Sequence, residues 1–343
     1  MTRAIITTTI NPPQNVDAWE VQLRSGDMII VAGDMKTPHE EWVEWEKGES
    51  TILRRYLPPA KQEEWEVSKI IGWNSIQRRN IALLYAMCQK PDTITTIDDD
   101  NWPVDDQWFD RFPRPTYTWY SDSGWWNPGR MCRPMIRHRG MPFGVSGAGL
   151  TGTKDRLVGW HRIGVWASLW LDDPDIDAME RIVNDPQIDE ITEDRVLDFG
   201  TWAPFNSQST TYRAELAPIM PVLPFVGRMD DIWASYIARA IMDTIDVHVC
   251  YGEPLVRQVR NPHNLLADLQ GEMIGYEHTA QFCERLRLWG SKLNDWKEQP
   301  DNIGRYFYMA RRIFDDPTLD WFPRRTSRFM LAWCRDVRTA LKS

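Results

Sequence analysis

Residues 93–103 read TITTIDDDNWP, five strand-forming residues running straight into three consecutive aspartates. β-Branched side chains favour extended backbone, whereas neighbouring carboxylates repel one another unless something offsets their charge. Asp98, Asp99 and Asp100 therefore have two readings. Either they share a divalent cation, since hard cations take oxygen ligands, or one of them caps a helix beginning near Pro103.

Two earlier segments have the same form. AIITTTI (4–10) is stopped by Asn11-Pro12-Pro13, and DMIIVAGD (27–34) runs into Gly33-Asp34 and then Lys36-Thr37-Pro38. Short continuous apolar runs bounded by turn residues read as buried strands. Residues 74–89 then carry Ile76, Ile81, Leu84, Tyr85 and Cys88 at helical spacing. Strand, helix and strand in this order predict an α/β fold, a Rossmann-like sheet with crossover helices and ligands at the carboxyl ends of its strands. All three strand ends carry ligand-capable residues: Thr9 and Asn11, Asp34 and Lys36, and Asp98 to Asp100.

The second half is more mixed. WHRIGVWASLWL (160–171) reads as a strand, Asp172–Asp177 as an acidic loop and 185–195 as a polar surface excursion. Residues 229–245 form an amphipathic helix opened by Asp230 and Asp231. Residues 265–298 and 303–341 read as C-terminal helices, broken at Pro300 and between Pro317 and Pro323.

The chain of 343 residues is long enough for one large α/β domain or two smaller ones. A formal net charge of -9 leaves a nucleic-acid partner only if a basic face is local. The five cysteines are odd in number, widely spaced and without a CxxC pair, which predicts a reducing compartment rather than a disulfide framework or a zinc site. With no signal peptide and no run of about 18 apolar residues, the expectation is a soluble, cytoplasmic protein with no membrane partner.

Several residue groups carry chemistry. Asp230 or Asp231 can deprotonate an acceptor hydroxyl as a general base, or serve only the helix N-terminus. Arg78 and Arg79 suit a diphosphate or a solvated helix face, and Thr8 and Thr9 are equally ordinary strand residues. The segment 111–140 holds six arginines against the single acid Asp122, interleaved with Trp119, Tyr120, Trp125 and Trp126. That composition grips phosphates and stacks bases, or stacks on the sugar faces of a glycan. Alternatively, these arginines pair with the acidic loops at 172–195. A second basic run spans 323–328, from Pro323 to Arg328.

The motifs ITTTINPP, VAGDMKTP, NSIQRRNIALLYAM and TIDDDNWP resemble, in order, those of the STELLO glycosyltransferase-like proteins. Those in turn are similar to the plant reversibly glycosylated polypeptides, the UDP-arabinopyranose mutases. SLWLDDPDIDA and GRMDDIWASYIARAI resemble mutase segments, and VRQVRNPHNLLADL resembles a STELLO segment, so the likeness spans about residues 4 to 270.

The resemblance implies a GT-A fold over residues 1–270 and a helical extension over 271–343. It implies a metal-dependent glycosyltransferase that takes a UDP-sugar donor with Mn²⁺ or Mg²⁺. Carried over, Asp98 and Asp100 are metal and ribose contacts, with His263 as a third metal ligand or phosphate contact, and Asp99 faces the sugar. Thr8, Thr9 and Asp34, with Lys36 beside them, line the nucleoside, and Arg78 with Arg79 approaches the diphosphate. Asp230 and Asp231 supply the base. A hydroxymethylated base in DNA, a glycan or a small molecule is the acceptor.

Two alternatives stand beside this reading, a nucleotide-sugar mutase and a non-catalytic nucleotide-sugar-binding protein. Ser146 stands where the mutases carry their glycosylated arginine, which speaks against self-glycosylation there. The membrane anchor of the STELLO proteins has no counterpart.

Overall fold

The computed structural model describes residues 1–105, 118–120, 124–144, 154–156, 162–192, 194–259, 264–295 and 300–343. Strands β1 (Arg3–Thr9), β2 (Met28–Gly33), β3 (Leu53–Leu57) and β4 (Thr93–Ile97) lie parallel in the order β3-β2-β1-β4. β1, β2 and β4 are buried along their whole length. Parallel strands covered on both faces lose the polar alternation of a half-exposed strand, so the three runs in the sequence are continuous.

The connecting helices are α1 (Val16–Glu20), α2 (His39–Lys47), α3 (Pro59–Gln62), α4 (Glu66–Ile71) and α5 (Arg79–Gln89), the last packed on β1 and β2. β3 and the helices before and after it break into what the sequence left as a connection.

Beyond β4 the chain adds β5 (Asn101–Pro103), β6 (Thr118–Tyr120), β7 (Cys132–Arg133) and β8 (Lys154–Arg156). It continues with β9 (Ile163–Asp172), β10 (Glu190–Ile191), β11 (Arg195–Leu197), β12 (Ser209–Arg213) and β13 (His248–Gln258). The sheet extends as β4-β12-β9-β13-β11-β6-β8, with β5 paired to β13 and β7 paired to β10 apart from it. β12 is antiparallel to both β4 and β9, and β13 is parallel to β9. The result is a mixed sheet flanked by helices, compatible with a Rossmann-like arrangement.

β12 reads STTYR, which no hydropathy pattern marks as a central strand. Its hydroxyls are absorbed across the ladder: Thr95 Oγ1 and Thr211 Oγ1 are 2.8 Å apart, and Thr96 donates to the Thr210 carbonyl at 3.2 Å. Buried hydroxyls that find such partners cost little. In the acidic excursion expected at 185–195, β11 begins at Arg195 and pairs with β13, so the end of that stretch is buried sheet.

The remaining helices are α6 (Ala178–Val183), α7 (Asp230–Met242), α8 (Leu265–Asn294), α9 (Asn302–Asp315) and α10 (Arg324–Ala340). The break expected between Pro317 and Pro323 separates α9 from α10. Position 270 falls inside the 30-residue α8. α8 packs on α7, and α10 packs on α4, α5 and α9, so one hydrophobic core runs from β1 to α10. Among the described residues no helix is long and apolar enough to cross a membrane. All five cysteines are free thiols.

Candidate active site

A polar cavity of about 600 Å³ opens at one edge of the sheet. The topology explains its lining. β1, β2, β4, β9 and β13 all end at this edge, while antiparallel β12 starts there. The residues just past those five ends, and just before β12, therefore meet: Thr9, Asp34, Asp98 to Asp100, Asp175 and Gln258, with Ser207 and Gln208. The turn into α5 adds Asn74, Ser75, Gln77 and Arg79, and the start of α7 adds Arg228, Asp230 and Asp231.

On the β1–β2 side the carboxylates organise backbone. Asp34 accepts the N–H groups of Asn74 at 2.7 Å and Ser75 at 2.8 Å. It thereby pins a turn in which Asn74 adopts φ +56°, a left-handed conformation that Asn tolerates. Asp99 Oδ2 accepts the Thr9 hydroxyl at 2.6 Å and the Asn11 amide at 2.9 Å. The Thr8 hydroxyl donates to the Ala32 carbonyl at 2.7 Å and stays on the cavity wall.

On the other side a single chain of charged groups crosses the floor. Arg79 forms an ion pair with Asp98 and donates to the Ser207 carbonyl at 2.7 Å. The Ser207 N–H donates to Asp231 Oδ2 at 3.0 Å, and Arg139 Nη2 donates to Asp231 Oδ1, also at 3.0 Å. Arg139 Nε donates to Asp175 Oδ1 at 2.7 Å, and Asn206 holds the other Asp175 oxygen at 2.8 Å. Asp230 accepts the Gln77 amide at 2.8 Å. Arg228 turns outward to Glu272 at 2.9 Å and Asp268 at 3.2 Å on α8.

The electrostatics separate these acids. Burial pushes the Asp98 carboxyl above its ordinary range, opposed by Arg79 and reinforced by the charges of Asp99 and Asp231. Asp230 is pushed up to about 7 by burial and by the neighbouring Asp231 charge, with Arg139 and Arg228 only partly offsetting them. Burial would lower Arg139, but the Asp175 and Asp231 charges hold it well above its usual value.

Nine residues expected from the sequence line this one cavity: Thr8, Thr9, Asp34, Arg79, Asp98, Asp99, Asp100, Asp230 and Asp231. Two do not. Arg78 is fully buried and turned away, donating to the Gly72 carbonyl at 2.9 Å and Ser68 Oγ at 2.6 Å, with its guanidinium over the Trp73 ring at 3.5 Å. Consecutive helical residues point about 100° apart, and here Arg78 turns to Gly72 and Ser68 while Arg79 turns to Asp98 and Ser207. Lys36 is solvent-exposed and outside the lining. His263 lies outside the described residues, as does Ser146.

Asn74, Ser75, Gln77, Arg139, Asp175, Ser207, Gln208, Arg228 and Gln258 were not expected here. The Arg139 and Asp175 signals were present as a basic and an acidic segment, and the structure pairs them. Arg137 likewise lies 3.7 Å from Asp177. Arg139 and Arg137 thus pair with the acidic loop. Arg111 and Arg114 lie outside the described residues.

Among the described residues no three His, Cys, Asp or Glu side chains converge on a cation site. Asp98, Asp99 and Asp100 still present a hard-oxygen donor set on the wall. Magnesium is commonly held by one or two carboxylates, waters and substrate phosphates rather than by a protein cage. Compared with protein-family models and with curated proteins, the chain matches none.

Proposed function

We propose that this protein is a glycosyltransferase that moves a sugar from a nucleotide-sugar donor, a UDP-sugar, to an acceptor hydroxyl. The observation that carries the reading is the meeting, in one cavity of about 600 Å³, of the β4-end aspartates with the half-buried Asp230–Asp231 pair. The volume is that of a site for one medium-sized ligand. Most of the lining side chains carry hydrogen-bonding groups, beside Ile10 and Ile76, which suits a polyhydroxylated ligand.

Charge balance decides how an anionic donor would enter. Seven aspartates and three arginines line the cavity, and each of those arginines is paired with at least one carboxylate. A diphosphate entering alone would meet net repulsion, so the reading requires a divalent cation, Mn²⁺ or Mg²⁺, held by Asp98 and Asp100. When bound, that cation would neutralise the diphosphate and favour its departure. Arg79 fixes Asp98, Thr9 and Asn11 fix Asp99 towards the sugar, and the Asp230–Asp231 pair supplies the group that receives the acceptor proton.

Calorimetry with UDP tests the donor assignment. Binding should require Mn²⁺ or Mg²⁺, vanish with a chelator, and weaken at least tenfold in Asp98→Ala and Asp100→Ala. Unchanged affinity in both variants sinks it. Incubating the protein with a panel of UDP-sugars and either hydroxymethylated DNA or a glycan mixture, read by mass spectrometry, identifies the acceptor. A ring-isomerised sugar without transfer would instead indicate a mutase.

A further inference from the structure

The two adjacent aspartates at the start of α7 stand in opposite environments. Asp231 faces a full positive charge, Arg139, at 3.0 Å and also receives the Ser207 N–H at 3.0 Å. Both of its carboxylate oxygens are engaged where they sit. Asp230, one residue earlier, accepts from the neutral Gln77 amide at 2.8 Å and carries no ion pair among the described residues. It lies beside the Asp231 charge on the cavity wall.

We propose that Asp230 is the catalytic base and that Asp231 is a positioning residue, locked in place by Arg139. This rests on the transferase reading above. When two carboxylates share a site, the one held by a cation keeps its charge and the other takes the proton. The groups facing Asp230 are Asp231 on its own helix, Arg228 in the turn before it, and Arg139 across the cavity. Arg228 is itself committed to Glu272 and Asp268. Asp98 lies further along the same chain, through Arg79 and Ser207.

The acceptor oxygen forms a bond to the anomeric carbon of the sugar, and its proton passes to an Asp230 carboxylate oxygen. The bond from that carbon to the donor phosphate breaks, and its electron pair leaves on the nucleoside diphosphate. A base that titrates near neutrality is matched to such a transfer at physiological pH, and burial and the Asp231 charge push Asp230 up to about 7.

Two measurements test the assignment, one of them independent of turnover. In protein labelled with ¹³C at aspartate carboxyls, one resonance should titrate near neutral pH. It should vanish in Asp230→Asn, and in Asp231→Asn it should move to lower pH, because the like charge is gone and Arg139 is released. If Asp230→Asn removes no titration from the neutral range, the proposal is overturned.

The second measurement is UDP release from UDP-glucose and UDP-galactose with water as the acceptor, in Mn²⁺, across pH. The wild type should show a rising limb governed by a group near neutrality. Asp230→Asn should lose about 10²–10⁴-fold and the limb with it, while still binding UDP. Asp231→Asn should retain the limb, displaced to lower pH. A limb lost in Asp231→Asn and kept in Asp230→Asn reverses the roles and overturns the proposal. If the wild type neither binds UDP nor releases it, while the neutral carboxyl still maps to Asp230, the transferase reading falls and the base assignment falls with it.

Discussion

Arg139 Nη2 lies 3.0 Å from Asp231 Oδ1, and the same guanidinium reaches Asp175 at 2.7 Å through Nε. One buried cation thus fastens the start of α7 to the loop after β9. Three groups that lie 36 and 56 residues apart in sequence become one rigid wall of the cavity.

Removing that cation leaves two carboxylates buried without their partner. Breaking a buried ion pair from one side costs about 3–5 kcal/mol. Arg139→Leu is therefore expected to lower stability by that amount in urea denaturation, and Arg139→Lys by less. A loss under about 1 kcal/mol for Arg139→Leu would mean that the network is loosely held.

Stability should depend on pH through Asp230. Its folded-state pKa, about 7, lies above the ordinary aspartate value of 3.8. The folded protein therefore holds this proton more tightly than the unfolded chain, and the associated stability is complete below about pH 4 and lost as pH rises to about 7. Asp230→Asn should match the wild type most closely in acid and gain on it through neutrality, reaching on the order of 4 kcal/mol by pH 8. Melting curves of both proteins from pH 5 to 8 give the difference directly. A constant gap across that range would refute the raised carboxyl.

Gly140 stands against the start of α7. Its φ is +84°, a region side chains rarely adopt, and an added Cβ would lie 2.2 Å from Ile232 Cγ2. Gly140→Ala must strain the backbone and push the helix that carries Asp230 and Asp231. The expected loss is about 2–4 kcal/mol, together with weaker activity at permissive temperature. A variant as stable as the wild type would show that this contact gives way freely.

Arg78 and Arg79 should behave as different kinds of residue. Arg78→Ala removes bonds to Ser68 and Gly72 and the contact with Trp73, so it should cost roughly 2–4 kcal/mol while leaving UDP affinity nearly intact. Arg79→Ala should weaken UDP binding in Mn²⁺, because Asp98 loses the group that orients it. Calorimetry beside thermal melts separates the two effects. Equal losses of affinity in both would restore Arg78 to the donor site.

Much of the sheet's parallel half was legible. A strand covered on both faces must be an unbroken β-branched run, and RAIITTT, MIIVAG and TITTI declare themselves for that reason. The polar residues after them announce a ligand edge because parallel strands deliver their carboxyl ends to one side. β12 and β13 were not legible as strands. STTYR hides its burial in hydroxyl pairs across the ladder, and β13 is interrupted by an irregularity between Gly252 and Val256.

By itself, then, the sequence determined the α/β class and the strand-end carboxylates Asp34, Asp98, Asp99 and Asp100, since hydrophobic periodicity and turn chemistry are local properties. It also marked Asp230 and Asp231 at a helix start, without distinguishing them. Only the tertiary structure decided which groups share the cavity. The antiparallel insertion of β12 brings Ser207 and Gln208 to the same edge, and Arg139 reaches Asp175 and Asp231 across it. The difference between two neighbouring aspartates is a matter of which one a distant arginine neutralises. That depends on burial and on charges brought together from across the chain, which no local pattern encodes.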